Sequence, residues 1–151
     1  MLAFGCMASA PREVLEDLAA TAFVKSSSLF RGLDPESLHD LLQLAQVIDH
    51  QAGELVSGER DETFLLILEG SASARAGGGE FARLERGATF GEARVLGAGR
   101  PSALVALTDA TVVTFPASMI SALSGRFPRM HKLLEAVQAA REREADAKLP
   151  G

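Results

Sequence analysis

Gly87-Ala88-Thr89-Phe90-Gly91-Glu92-Ala93 and, a few residues on, Gly99-Arg100-Pro101-Ser102-Ala103-Leu104-Val105 are the segments of this chain whose residue types could do chemistry. A Phe-Gly-Glu turn between two predicted strands, followed by small residues entering a strand, can form a concave pocket from backbone amides, a carboxylate and a guanidinium. Amides at the start of a short helix attract an anion, and a carboxylate accepts from hydroxyl groups. Such a pocket suits a cyclic phosphodiester on a ribose. The candidate ligand-binding residues are Phe90, Gly91, Glu92, Ala93, Arg94, Arg100, Ser102 and Ala103.

Other chemistries lack their residues. His39, His50 and His131 are far apart in sequence, and the first and last fall on predicted helices, so the clustered imidazoles of a metal-dependent β-roll enzyme are missing. No Ser-His-Asp or thiol nucleophile arrangement stands out, and the single cysteine, Cys6, lies in a stretch expected to be frayed. No catalytic residue and no metal ligand is assigned, and the protein is expected not to be an enzyme.

The elements that must position the pocket follow from patterning. At 151 residues the chain fits one domain with its own core. The stretch 1–10 reads as a flexible N-terminus; it lacks the basic n-region and long apolar run of a signal peptide. Val14, Leu15, Leu18, Ala22 and Phe23 recur at helical spacing and predict a helix from Pro11 to Phe23. Asp34 as cap and Pro35 at the first helical position predict a second, with Leu38, Leu41, Leu42 and Ala45 as its apolar stripe. These make an N-terminal helical segment, 11–46.

From Val47 to Pro116 the texture changes to short apolar runs punctuated by glycine, the pattern of compact antiparallel structure. Strands are expected at Val47 to His50, Leu55 to Val56, Phe64 to Leu68, Ser71 to Ala76, Phe81 to Leu84, Ala103 to Leu107 and Thr111 to Phe115, with Gly77-Gly78-Gly79 as a hairpin connection. Helical spacing returns over 117–147, broken at Gly125 and Phe127-Pro128. The charged run Arg141, Glu142, Arg143, Glu144, Asp146 and Lys148 predicts a helix that enters solvent or pairs with a partner helix before a flexible tail, 148–151. Met130 to Val137 offers a homodimer face of under two heptads. The fold class expected is α+β: an antiparallel, jelly-roll-like β-roll flanked by N-terminal helices and a C-terminal helix pair.

Read in order, these pieces resemble the cyclic nucleotide-binding domain family, the β-roll of catabolite-activator-type regulators, cyclic-nucleotide-dependent kinases and gated channels. The resemblance spans roughly Leu29 to Val137. It rests on the Leu29-Phe30-x-Gly32-Leu33 entry, Ala52-Gly53-Glu54, the run from Gly58 through Phe64-Leu65-Leu66-Ile67-Leu68-Glu69-Gly70, and Phe90-Gly91-Glu92 at the family's phosphate-binding cassette. It implies that Glu92 accepts from a ribose 2'-hydroxyl, or else caps amides of its turn, and that amides at Ala93 and Arg94 face a cyclic phosphate. It also implies a phosphate-neutralising arginine in a Pro-Arg-small-Ala-Thr arrangement. With Ala103 and Val105 kept in register, Pro101 stands at the arginine position and Leu104 at the threonine position. Arg100 would have to reach back across Pro101. Arg94, where the family keeps a small residue, would supply charge or fill the cavity with its stem.

Two functions follow. One is a non-enzymatic regulatory adaptor with an impaired cassette, acting through another signalling protein such as a small GTPase or a kinase. The other is a genuine cAMP or cGMP receptor that couples binding to movement of the C-terminal helix. No cofactor is required in the first reading. The net charge of −5 argues against direct DNA binding, and a chain ending at Gly151 is not expected to carry the family's helix-turn-helix. No apolar run reaches the 18 or so residues of a membrane span, and the cysteine count fits the cytoplasm.

Overall fold

The computed structural model of the chain describes residues 10–149. Positions 1–9, with Cys6, and 150–151 lie outside the described residues, so the expected flexible ends are described only at Ala10, Lys148 and Leu149.

The clearest element is β4 (Thr63–Glu69). Its unbroken run Phe64-Leu65-Leu66-Ile67-Leu68 is what a strand buried on both faces requires, because successive side chains point to opposite sides. Phe64, Leu66 and Leu68 join one apolar cluster, whereas Leu65 and Ile67 join a second. Its neighbour β9 (Ala110–Pro116) does the same, with Val113 and Phe115 on the first side and Val112 on the second. Five strands form one antiparallel sheet in the order β1 (Arg12–Glu13), β2 (Gln46–His50), β9, β4, β7 (Thr89–Phe90). A second antiparallel sheet has the order β3 (Leu55–Ser57), β8 (Ala103–Ala106), β5 (Ala72–Ala76), β6 (Gly79–Leu84).

Between the sheets lies the roll interior, which pairs Leu65, Ile67 and Val112 with Ala72, Ala74, Ala82, Leu84 and Leu104. Leu104 is fully buried there, so the position expected to lack a hydroxyl is an apolar core position. Outside the first sheet, Phe115 packs on Phe30 and Phe64 with ring centroids 5.2 and 6.4 Å away, in tilted arrangements. That face is covered by α1 (Leu18–Ser26), α2 (Pro35–Leu44), α4 (Ala117–Arg126) and the start of α5 (Pro128–Lys148).

The expected strands and helix pair are present, and the fold class is as anticipated: α+β, two antiparallel sheets with helices at both chain ends. Two readings are corrected. The helix expected from Pro11 to Phe23 is instead β1, a 3-10 turn at Val14–Glu16 and α1. Asp17 starts α1 by accepting from the Ala20 amide at 3.0 Å, and Arg12 and Glu13 pair with Val47 and Gln46. The charged end of α5 does not leave the domain: one face packs on β6, with Ala145 fully buried and Leu149 beside the roll interior, while Arg143, Asp146 and Lys148 stay exposed on the other. Among the described residues no helix is long and apolar enough to cross a membrane.

Candidate functional site

The cassette hangs from the edge of the first sheet. β7 pairs with β4, Phe90 opposite Leu65 and Thr89 opposite Leu66, and the chain then turns at Gly91. Gly91 has φ +110°, and a Cβ there would meet the Thr63 carbonyl oxygen at 2.7 Å, so glycine is required on both counts. The five-residue α3 (Glu92–Leu96) follows and closes at Gly97, whose amide donates to Ala93 O at 2.8 Å.

This loop, β6 and α5 enclose a cavity of about 220 Å³. All the sequence-predicted residues except Ala103 line it, and Ala103 begins β8 next to Ser102. Phe81, Gln138, Arg141, Glu142 and Glu59 line it as well.

Glu92 is 2% exposed. Its carboxylate accepts from the Thr89 hydroxyl at Oε2, and Arg141 Nη1 stands 3.6 Å from Oε1. Arg141 also donates to the Thr89 carbonyl at 3.0 Å, so one guanidinium from α5 neutralises the cassette carboxylate and anchors the strand before it. Burying a carboxylate without such partners is costly.

Arg94 neither reaches into solvent nor lies free in the cavity. Nη1 donates to Ser57 Oγ at 2.5 Å and to Thr63 O at 3.1 Å, and Nη2 donates to Gly58 O at 2.6 Å and to Ser102 O at 3.3 Å. Its guanidinium carbon also lies 5.2 Å from the Phe90 ring centroid. Burial pushes its pKa down, opposed by the charges of Asp61 and Glu92. Its side chain therefore staples the loop after β3 to the cassette. Its amide donates to Gly91 O at 3.0 Å, so this expected phosphate-facing N–H is engaged within the turn.

Arg100 does not reach back across Pro101. Its amide donates to Glu142 Oε1 at 3.2 Å, Nε to Glu142 Oε2 at 3.0 Å, and Nη2 to Asp146 Oδ1 at 2.5 Å. Asp146 and Glu142 together hold its pKa above the ordinary value. Gln138 adds a long contact to Ala98 O at 3.5 Å.

The structure thus brings Phe90, Gly91, Glu92, Ala93, Arg94 and Ser102 together, turns Arg100 to α5, and adds Arg141 and Glu142, which the sequence reading placed on a helix entering solvent or pairing with a partner helix. A signal was present. Met130, Leu134, Gln138, Arg141 and Ala145 fall at spacings of four, four, three and four, so the polar residues continue the apolar stripe of α5 toward the buried Ala145. No group of histidine, cysteine, aspartate or glutamate among the described residues could hold a metal ion.

Residues 49–126 match the profile of the cyclic nucleotide-binding domain. Among solved structures, the catabolite activator protein of Thermus thermophilus is 30% identical, with 79% of this chain and 60% of that chain covered and a TM-score of 0.59. The cAMP-bound PfPKA-R structure is 17% identical at a TM-score of 0.71, and covers 87% of this chain; this chain spans about half of that one, 49%. A variant regulatory subunit of a cAMP-independent protein kinase A from Trypanosoma brucei, bound to cAMP in the A site, is 19% identical at a TM-score of 0.67, with 83% of this chain and 48% of that chain covered. Its three substitutions replace a glutamate, a threonine and a valine by alanine, arginine and alanine. No curated protein matches the sequence. The profile covers just over half of the residues and the roll agrees with it in architecture, so this chain belongs to the cyclic nucleotide-binding domain family.

Proposed function

We propose that this is a non-enzymatic, cytoplasmic regulatory domain that keeps the roll of a cyclic nucleotide receptor but acts without cyclic nucleotide, through contact with another signalling protein such as a small GTPase or a kinase. The observation that carries the reading is the commitment of the three guanidiniums that line the cavity. Arg94 is held by four oxygens of β3, β4 and the loops beside them, Arg100 by two carboxylates of α5, and Arg141 by Glu92 and the Thr89 carbonyl. A phosphate must take a cation from one of these partners. Loss of one charge-assisted contact, about 1.5–3 kcal/mol, weakens binding roughly 10- to 100-fold.

The Trypanosoma brucei variant supports this. Its new alanine and arginine lie seven positions apart, with the second alanine next. Arg94 and Pro101, which depart from the receptor pattern, are also seven apart, and the small Ser102 follows. The test is calorimetric titration of cAMP and cGMP into the native chain and into the variant Arg94→Ala, Pro101→Arg, Ser102→Ala. The native chain is expected to give no saturable heat, and the triple variant saturable binding. Pro101→Arg alone, which leaves the Arg94 staple intact, is expected to gain a weaker response. Saturable micromolar binding by the native chain overturns the reading.

A second reading has one observation in its favour. Arg141, Glu142 and Gln138 put α5 in the cavity wall, so a receptor in which cAMP or cGMP draws Arg141 from Glu92 would move that helix. Native binding that disappears in Glu92→Ala selects it.

A further inference from the structure

Among the described residues five large apolar side chains are exposed, and three of them belong to the helical segment before the roll: Leu18 at 86%, Leu44 at 55% and Leu15 at 40%. The other two, Leu55 and Leu107, lie at β3 and just after β8 in the second sheet. Leu15 and Leu44 flank one backbone bond, in which Val14 N donates to Ala45 O at 3.2 Å, and Leu18 opens α1. The whole of α1, Leu-Ala-Ala-Thr-Ala-Phe-Val-Lys-Ser, carries a single charge. Ala20 and Val24 are buried against the domain, and helical geometry puts Ala22 opposite them with Leu18 beside it, both exposed. A helix that is apolar on all sides is normally covered on all sides, and the domain covers only one.

The charges say what fits. Glu16 stands just before α1 and Lys25 in its last turn; both are exposed, and neither has an ion-pair partner among the described residues. An antiparallel copy of the same helix, related by a two-fold axis level with Ala20, lays Leu18 of each chain against Ala22 of the other and brings Lys25 of each to Glu16 of the other. The small alanine leaves room for the leucine. A parallel copy would instead set Lys25 against Lys25, with the two helix dipoles aligned. At one flank Arg86 already lies over the Phe23 ring, its guanidinium carbon 4.6 Å from the centroid, so the open face ends there. The stretch expected to offer a homodimer face, Met130 to Val137, keeps its apolar anchors inside: Met130 and Leu134 belong to the domain's own core.

We infer that the outer face of α1 and its flanks, with Leu15, Leu18, Ala22 and Leu44 as the apolar part and Glu16 and Lys25 as the charges, is a self-association surface whose occupant is α1 of a second copy in antiparallel arrangement. The inference goes beyond the proposed function and stands apart from it, because none of these residues lines the cassette cavity. One short helix and its flanks make a small interface, so dissociation is expected on the order of tens of micromolar.

Sedimentation velocity of the full chain over a concentration series spanning that range tests it, with a thermal melt of each variant at the dilute end. The native chain is expected to pass from monomer to dimer. Leu18→Ser and Ala22→Glu, both at exposed positions, are each expected to weaken association roughly tenfold or more while the monomer melts as the native monomer does. Glu16→Lys and Lys25→Glu are each expected to weaken it roughly two- to fivefold, and the two together to restore it, since the pair between chains is rebuilt with its signs reversed. A native chain that stays monomeric throughout overturns the inference, and so does a dimer that Leu18→Ser and Ala22→Glu leave unchanged. A double exchange no better than the single variants overturns the antiparallel seating. A monomeric native chain whose melting temperature falls in Leu18→Ser assigns the face to another part of the same chain, which also overturns the inference. Nucleotide titration decides the proposed function separately, whatever the state of association.

Discussion

The β4–β9 pair and the cassette with its α5 cover are held by opposite means. Around β4 and β9, burial is apolar on both faces, and Phe64, Leu66, Val113 and Phe115 have almost no exposure. Around the cassette the same degree of burial is reached by a polar residue, Glu92, whose partners come from Thr89 three residues earlier and Arg141 far along the chain. The first region tolerates any sequence of suitable shape and hydrophobicity. The second depends on particular pairs, so it can change function by a single residue while the roll persists.

Substitution in the first region should therefore be felt everywhere. Phe115→Ala removes a ring between Phe30 and Phe64, and is expected to cost about 3–5 kcal/mol, read as a lowered urea midpoint by both helical and β-sheet probes. A loss confined to the helical signal would break the claim that the two apolar layers meet at β4 and β9.

The second region predicts a pairwise signature. Arg141→Ala leaves the Glu92 carboxylate buried without its cation and is expected to cost roughly 1–3 kcal/mol. In that background Glu92→Gln should recover part of the loss, because the residual penalty belongs to the unpaired charge. A double variant that simply sums the two single costs would show that the residues do not act together.

The smallest effect expected is a pH dependence at the edge of the roll. His50, on β2, is largely buried, which lowers its pKa below 6.5 despite the opposing charges of Glu54 and Asp49. Between 6.5 and that depressed value the unfolded chain holds the extra proton and the folded chain does not. Stability is thus full above 6.5 and falls as the pH drops through this window. Urea midpoints measured at pH 7.5 and 5.5 should differ less in His50→Gln than in the native chain; an equal difference would assign the dependence to other groups.

The same contrast explains what could be read from the sequence. The strands were legible because continuous or alternating apolar runs report their own burial, and Asp34-Pro35 reported a helix start, seen as Asp34 accepting from the Ser37 amide. The stretch from Pro11 to Phe23 misled because a two-residue strand is defined by its partner, Gln46–Val47, and leaves no period of its own. At the site, Phe90-Gly91-Glu92 was legible since a glycine forced into positive φ and a carboxylate beside it mark a built turn. The fates of Arg94 and Arg100 were not. A guanidinium has enough reach to serve phosphate, carbonyl or carboxylate, and its choice is set by Ser57, Glu142 and Asp146, which lie 37 to 46 residues away in sequence. Arg141 looked like one charge in a solvated run because ion pairs along a helix have the same spacing as a polar face docked on a loop.

The central claim, that the cations of this cassette already belong to the protein, is tested most directly by calorimetric titration of cAMP into the native chain at low salt. The expected result is no saturation in the low micromolar range, since loss of one charge-assisted contact weakens binding roughly 10- to 100-fold. A saturating isotherm in the micromolar range, lost in Glu92→Ala, would contradict it.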